Sequence, residues 1–414
     1  MKKLKLYGRA DSSDIYLIRD FLKRSVVDFK WFDITHDELN QRQRNDLPPN
    51  PDKYPIIEFP DGKVIINPTL EQIACNLGWI TKPKYEEYDL SIYGAGPAGL
   101  SAAVYAASEG LKTILIEREA IGGQAGTSSM IENYLGFPAG ISGGNLAERA
   151  RQQALKFGVE ILLLKEGIKG TFYNNKIHVD FASGEKLVAK TNICATGVEY
   201  ARLNLPDEAL FFHKGVYYGA GASEASFCQD KDLYIVGGGN SAGQAAVYFS
   251  GFAKRVFMVI RKGSLADTLS EYLIRRIKNI KNIYVLYNSQ VTALSGDDFL
   301  QRIKILNTND GTEQWHDTSK LFICIGGSPN TEWAAETPIC RDKNGYLYTG
   351  SDMIGLDQFK SCWELDRPPY HLETSVPGSF AAGEVRFNSV KRVASAVGEG
   401  AMAVTQVHQY LSKL

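Results

Sequence analysis

Residues 94–99 of this chain read Gly-Ala-Gly-Pro-Ala-Gly, and their types and spacing suit the binding of a diphosphate. Gly94 allows a tight turn, Gly96 lets the backbone approach a pyrophosphate, and Gly99 lets a helix pack closely on a strand. Apolar Leu90, Ile92 and Tyr93 lead into the turn, and helix formers follow it to residue 108. A helix starting there aims its free N–H groups and positive dipole end at the phosphates, with Pro97 and Ala98 in its first turn. A second apolar run, residues 112–116, ends on Glu117, 18 residues after Gly99, where a carboxylate takes a ribose 2′-hydroxyl. Strand, glycine turn, helix and acid together predict a dinucleotide site.

The pattern recurs once. Residues 233–236 predict a strand, Gly237-Gly238-Gly239-Asn240-Ser241-Ala242 a turn, 243–250 a helix and 255–260 a following strand. That strand ends on Arg261-Lys262 with no carboxylate. Two cations suit a 2′-phosphate, which predicts NADPH with NADH as the other possibility; the bland reading is a pair of solvated surface charges. The first unit has a ribose acid and the second has none. One bound flavin and one exchanging nicotinamide are therefore expected, or a second flavin in the 233–262 unit.

The elements that must position these turns follow from the rest of the chain. Its 414 residues, 44% hydrophobic and 22% charged, fit two or three soluble domains. The net charge of -1 gives no electrostatic reason to expect nucleic acid or an anionic membrane. No run approaches the ~20 apolar residues of a membrane span, and the opening MKKLKLYGRADSS lacks the apolar core of a signal peptide. The six cysteines (Cys75, Cys194, Cys228, Cys324, Cys340, Cys362) form no CxxC pair and have no metal-ligand spacing. A cytoplasmic, reduced, metal-free protein is expected.

Residues 1–80 read as a separate unit in the order β-α-β-α-β-β-α. Its strands are predicted at 4–7 and 29–34, with a hairpin at 54–66 turning at Asp61-Gly62. Its helices are predicted at 12–24, 37–45 and 69–77. This order resembles the glutaredoxin branch of the thioredoxin fold, with Tyr54-Pro55 where that family keeps a cis-proline loop. The family's CxxC or CxxS position reads Gly8-Arg9-Ala10-Asp11-Ser12-Ser13. A serine hydroxyl cannot perform disulfide exchange, so a docking or dimer module is expected. A charged linker, residues 81–87, follows. An amphipathic helix is predicted at 145–157, a hairpin-like segment at 159–190 and a buried strand at 191–197. Near the end, residues 375–385 predict a strand turning at Gly383 onto Glu384, and 391–410 a helix.

From residue 86 onward the chain resembles the low-molecular-weight thioredoxin reductases. The marks are GAGPAG at 94–99, GGQ at 122–124, IENYLGFP at 131–138, ATG at 195–197, GGGNSA at 237–242, IGGSPNT at 325–331 and FAAGEV at 380–385. The resemblance implies an α/β protein with two Rossmann-like domains of the three-layer ββα/βα type. FAD would be held by residues 86–203 and 328–414, and NAD(P)H by 204–327. In the FAD domain the glycine turn and Glu117 would take the diphosphate and adenosine ribose. Gly123, Gln124 and Asn133 would border the isoalloxazine, with Ala195-Thr196-Gly197, Gly383, Glu384, Lys391, Arg392 and Val393 completing the site. Gly237 to Ala242, with Arg261 and Lys262, would bind the nicotinamide nucleotide. A homodimer built on the FAD domains is also implied.

The departure lies where the family carries its CxxC, because Gly219 and Ala222 stand at the cysteine positions. Neither can accept electrons, so an acceptor other than an internal disulfide is expected: an iron–sulfur protein of the ferredoxin type, a quinone or an external dithiol. Cys228 is a lone redox thiol or a structural cysteine. His213 is a proton donor or a solvated loop residue, and Glu224 a group that could polarise an acceptor. Tyr217 and Tyr218 stack near the flavin or fill core. A redox-responsive binding protein that reports through residues 1–80 is the competing function.

Overall fold

The structure, a computed structural model, describes residues 3–9, 12–34, 54–79, 82–219, 225, 228–363 and 365–414. The predicted helix at 37–45 lies outside the described residues, as does Glu224. At the N-terminus β1 (Leu4–Gly8), α1 (Ser13–Arg24), β2 (Phe29–Asp33), β3 (Ile56–Glu58), β4 (Val64–Ile66) and α2 (Leu70–Asn76) build a four-stranded sheet in the order β2-β1-β3-β4. The β1/β2 pair is parallel, and β3 runs antiparallel to both its neighbours. The Tyr54–Pro55 peptide is cis. Leu6, Leu22, Ile57 and Ile73 are fully buried between sheet and helices, each contributing about 1.5–3 kcal/mol. Thr69 and Gln72 form a reciprocal capping box that starts α2.

The first glycine turn sits in a larger sheet. It comprises β5 (Tyr88–Tyr93), β6 (Thr113–Glu117), β7 (Glu160–Leu163), β8 (Gly167–Tyr173), β9 (Lys176–Phe181) and β10 (Lys186–Cys194), in the order β7-β6-β5-β10-β9-β8. Helices α3 (Pro97–Ser108) and α4 (Gly143–Lys156) connect the parallel strands. The hairpin-like reading of 159–190 needs correction. Residues 160–163 are all buried and run parallel beside β6, as the edge strand of this sheet. Only β8, β9 and β10 form an antiparallel meander, and 191–194 are the last residues of β10 rather than a separate strand.

A two-stranded crossing, β11 (Val198–Tyr200) with β20 (Gly327–Pro329), leads to and from the second unit. There β12 (Val216–Tyr218), β13 (Asp232–Val236), β14 (Arg255–Val259), β15 (Ile283–Leu286) and β19 (Leu321–Ile323) form an all-parallel sheet, ordered β12-β19-β13-β14-β15. Helices α5 (Asn240–Phe249) and α6 (Glu271–Asn279) cover it, and β16 (Ser289–Gly296), β17 (Leu300–Asn307) and β18 (Glu313–Asp317) add an antiparallel layer. The chain then returns to the first sheet. There β21 (Ser379–Ala381) pairs with β10, and the closing helix α7 (Val393–Leu411) buries Ala403, Val404 and Val407 in the core that also holds α3. The architecture is an α/β Rossmann-type fold with mixed sheets.

Candidate active site

A cavity of about 960 Å³ opens along the carboxyl ends of β5, β6 and β10, where open α/β sheets hold their ligands. The turn after β5 is tight because Gly99 approaches β5 closely: a Cβ on it would strike the Gly94 carbonyl oxygen. Gly96 is the N-cap of α3, makes no side-chain cap, and has nothing within 4 Å of where a side chain would begin. The first-turn amides of α3 therefore lack a protein cap and meet the cavity, which is the arrangement that favours an anion.

Of the residues singled out for the first site, Gly94, Gly96, Pro97, Ala98, Glu117, Gly123, Gln124, Ala195, Thr196, Gly197, Gly383, Glu384, Arg392 and Val393 all line this cavity. Gly99 acts behind it through packing. Asn133 and Lys391 are exposed and do not line it. Glu117 is buried. Its two carboxylate oxygens accept from the backbone N–H groups of Ala95 and Glu119, each at 2.8 Å. Burial pushes its pKa up, opposed by those two amides and by the Arg24 guanidinium. Burial also raises Glu384, with Lys391 opposing. Gln124 donates from Nε2 to the Val198 carbonyl at 2.7 Å, which fixes its amide at the cavity wall.

His213 lines the cavity, so it is not a solvated loop residue. Its ring stacks on Tyr16 of α1, with centroids 4.4 Å apart, and against Phe212 at 3.7 Å. Burial and the nearby Arg202 lower its pKa to about 4, so at neutral pH the imidazole carries no charge. Cys228 is fully buried in the apolar core under β13, with Leu233 and Phe249 as fellow members; a thiol so placed is structural. Cys194 is likewise buried, its pKa pushed up to about 12. Cys324 lies one residue past β19 and is half-buried. Cys75 is exposed on α2. Tyr217 fills core and Tyr218 lines the cavity. The Tyr218 hydroxyl donates to Glu208 and accepts from the Leu203 N–H at 3.1 Å.

Several lining residues escaped the sequence reading. Tyr16, Asp20 and Arg24 come from the N-terminal unit, and Tyr200, Arg202 and Trp333 from connections between the two nucleotide units. Tyr200 shares a hydroxyl–hydroxyl hydrogen bond of 3.3 Å with Thr127, and burial pushes its pKa up to about 12. The Gly383 turn is held from behind. Glu399 of α7 accepts from the Gly383 N–H at 2.6 Å and from Arg386 Nε at 3.1 Å, while Arg386 also donates to Thr349 Oγ1.

The second glycine turn stands apart from this cavity. Gly239 is the N-cap of α5 and faces open space. Thr268 Oγ1 donates to the Gly238 carbonyl at 2.6 Å, and Asn240 Oδ1 accepts from the Ser270 N–H at 2.8 Å, so residues 268–270 brace the turn. Arg261 and Lys262 are both exposed beyond β14, and Lys262 Nζ lies 3.6 Å from Asp267 Oδ2.

A sequence model of the pyridine nucleotide-disulphide oxidoreductases matches residues 88–400. The chain belongs to that family. Thioredoxin reductase of Chlamydia trachomatis is 32% identical over 328 residues, covering 78% of this chain and 98% of the relative. Thioredoxin reductase 1 of Saccharomyces cerevisiae is 32% identical over 339 residues, covering 78% and 98%. Among solved structures, Lactococcus lactis thioredoxin reductase superposes with a TM-score of 0.70 at 27% identity, covering 79% of this chain and all of that one. The T. acidophilum enzyme gives 0.70 at 28% identity, over 78% of this chain and 99% of that one. A pyridine nucleotide-disulphide oxidoreductase of this kind uses FAD and NADPH. The first cavity fits an FAD: it has the volume, an uncapped helix N-terminus and a buried carboxylate at the end of β6. The second turn fits a nucleotide diphosphate, with two cations beside it.

Proposed function

We propose that this chain is an FAD-dependent NAD(P)H oxidoreductase that passes electrons to an acceptor other than an internal disulfide. The reading is supported by the geometry at Gly219, where the resemblance puts one cysteine of the family's redox pair. The Gly219 backbone has a φ of +77°, and a Cβ there would lie 2.5 Å from the Tyr200 hydroxyl. A side chain there, sulfur included, fits only if the Tyr200 ring shifts. Cys75, Cys194 and Cys340 are free thiols, and no CxxC occurs in the sequence. In this reading FAD supplies hydride acceptance and onward electron transfer, and the chain supplies placement. Glu117 takes the adenosine ribose, the α3 amides take the diphosphate, and Gln124, Gly383, Glu384 and Arg392 flank the ring. Gly238 to Ala242 with Arg261 and Lys262 hold the nicotinamide nucleotide.

The domain plan belongs to the same proposal: a glutaredoxin-like unit at 1–80, an FAD domain at 86–203 and 328–414, and a nicotinamide domain at 204–327. The strand order β2-β1-β3-β4 with β1 and β2 parallel supports the first assignment. A cytoplasmic homodimer and a redox protein or small-molecule acceptor complete it. The deciding experiment is an anaerobic titration with NADPH and with NADH, followed by an acceptor screen. One reducing equivalent pair per flavin, then turnover with ferredoxin or quinone, is expected. Uptake of a second pair, with two new titratable thiols, would mean that an internal disulfide does form.

One observation favours a second function. Helix α1 contacts both nucleotide units, through Tyr16 on His213 and through Arg24 toward Glu119. A sensor that reports its redox state through residues 1–80 would bleach once and stop, with no acceptor sustaining oxidation.

A further inference from the structure

Helix α1 is a wall of the first cavity, and its last residue is an arginine. Arg24 lines the cavity together with Tyr16, Leu17 and Asp20 from the same helix. Its Nη1 lies 3.4 Å from Glu119 Oε2 and 3.5 Å from Asp20 Oδ2, both long for ion pairs. Its Nε is buried and has no hydrogen-bond partner among the described residues. A guanidinium offers five donors in a planar fork, and leaving a buried donor unmet is unfavourable. Two long contacts to carboxylates satisfy little of that fork.

The same cavity receives the uncapped first turn of α3 at Gly96, Pro97 and Ala98. Two independent sources of positive potential, helix amides and a guanidinium, therefore reach one cavity from two different units. Phosphate oxygens match both, and a guanidinium binds them through paired N–H groups. Glu117 and Glu119 would repel a bare anion, so the ligand must bring hydroxyls as well as phosphates. A dinucleotide's ribose–diphosphate half has both.

We infer that Arg24 is a cofactor-binding residue, through which the N-terminal unit grips the diphosphate of the FAD held in this cavity. The inference rests on the assignment of FAD to the cavity. It makes the unit at 1–80 part of the cofactor site rather than an appended module. Arg24 does not take part in electron transfer; its role is to bind and orient.

The test uses the full chain, freed of flavin, titrated with FAD and with riboflavin, which has no phosphate, and followed by flavin fluorescence. Arg24→Met is expected to weaken FAD about 10- to 100-fold, the loss of one charge-assisted contact, and to leave riboflavin unchanged. Arg24→Lys, which keeps the charge but loses the fork, is expected to weaken FAD several-fold in the same selective way. It decides the matter if the methionine variant does not fold. Equal FAD affinity in the variants would overturn the inference, and so would a parallel loss of FAD and riboflavin, which would mean only a damaged wall. Failure of the unaltered chain to bind FAD at all would instead refute the assignment of the cavity.

Discussion

The Tyr200 hydroxyl stands 2.5 Å from the point at which a side chain on Gly219 would begin. One residue ends the crossing strand β11 and the other follows β12, so the contact closes the seam between the two nucleotide units. Gly219 also sits at a φ of +77°, which L side chains rarely adopt. Gly219→Ala is therefore expected to destabilise the chain by about 1–3 kcal/mol through overpacking and backbone strain. Tyr200→Ala, itself costly, should remove most of the steric part. Chemical denaturation of both single variants and the double variant gives the coupling. Additive effects would mean that the two residues do not meet.

The stack of Tyr16 on His213 joins the N-terminal unit to the second nucleotide unit, and it sets a pH dependence. His213 has a folded pKa of about 4, below the ordinary 6.5. Between those values the unfolded chain binds a proton that the folded chain refuses, so stability rises with pH across this window. The contribution is complete above pH 6.5 and is lost as pH falls toward 4. His213→Gln is expected to flatten the wild-type fall in stability between pH 6.5 and 4. Urea midpoints measured along that range check it, and identical slopes in both proteins would count against a buried neutral imidazole.

Glu399 holds the Gly383 turn and Arg386 together beneath the cavity. Both side chains of the ion pair are largely buried, and removing one partner leaves the other charge uncompensated. Glu399→Ala is expected to cost about 3–5 kcal/mol and to weaken FAD retention, because Gly383 and Glu384 line the site. Arg386→Ala should do the same, and the double variant should lose less than the sum. Thermal melts with and without added FAD measure both effects. A melt unchanged by the Glu399 variant would show that the turn holds without its anchor.

The site was legible wherever its parts are local in sequence. Gly94 to Gly99 with Glu117 can be read because turn, helix start and acid lie on one βαβ unit whose period and spacing are set by backbone geometry. The 237–262 unit is legible for the same reason. Arg24, Tyr200 and Glu399 were not legible, since each acts across a fold-level contact. Arg24 meets Glu119 across 95 residues, and Tyr200 meets Thr127 across 73. No periodicity encodes such pairings. Asn133 and Lys391, which motif position puts at the ring, are exposed and are not among the residues lining the cavity. Residues 160–163 were misread because the apolar run Ile161-Leu162-Leu163 fits a buried parallel strand or one arm of a hairpin equally well. Only the pairing with β6 separates the two.

Nucleotide preference turns on Asp267. Its carboxylate lies 3.6 Å from Lys262 Nζ, with both side chains about half exposed, so in solvent the pair contributes little to stability. Its effect on binding is larger in proportion. A carboxylate beside the cation that would meet a 2′-phosphate partly cancels the attraction and repels the phosphate directly. Asp267→Asn is expected to lower KM for NADPH several-fold and to leave KM for NADH nearly unchanged, with no shift in the melting temperature. Lys262→Ala should raise KM for NADPH by roughly 10-fold, the low end for a charge-assisted contact of about 1.5 kcal/mol because the site is solvent-exposed. Steady-state kinetics with both nucleotides, at low and at high salt, separate this from a change of fold, since the NADPH effect should shrink as salt screens it. Equal changes for NADPH and NADH would place Lys262 and Asp267 outside the phosphate site.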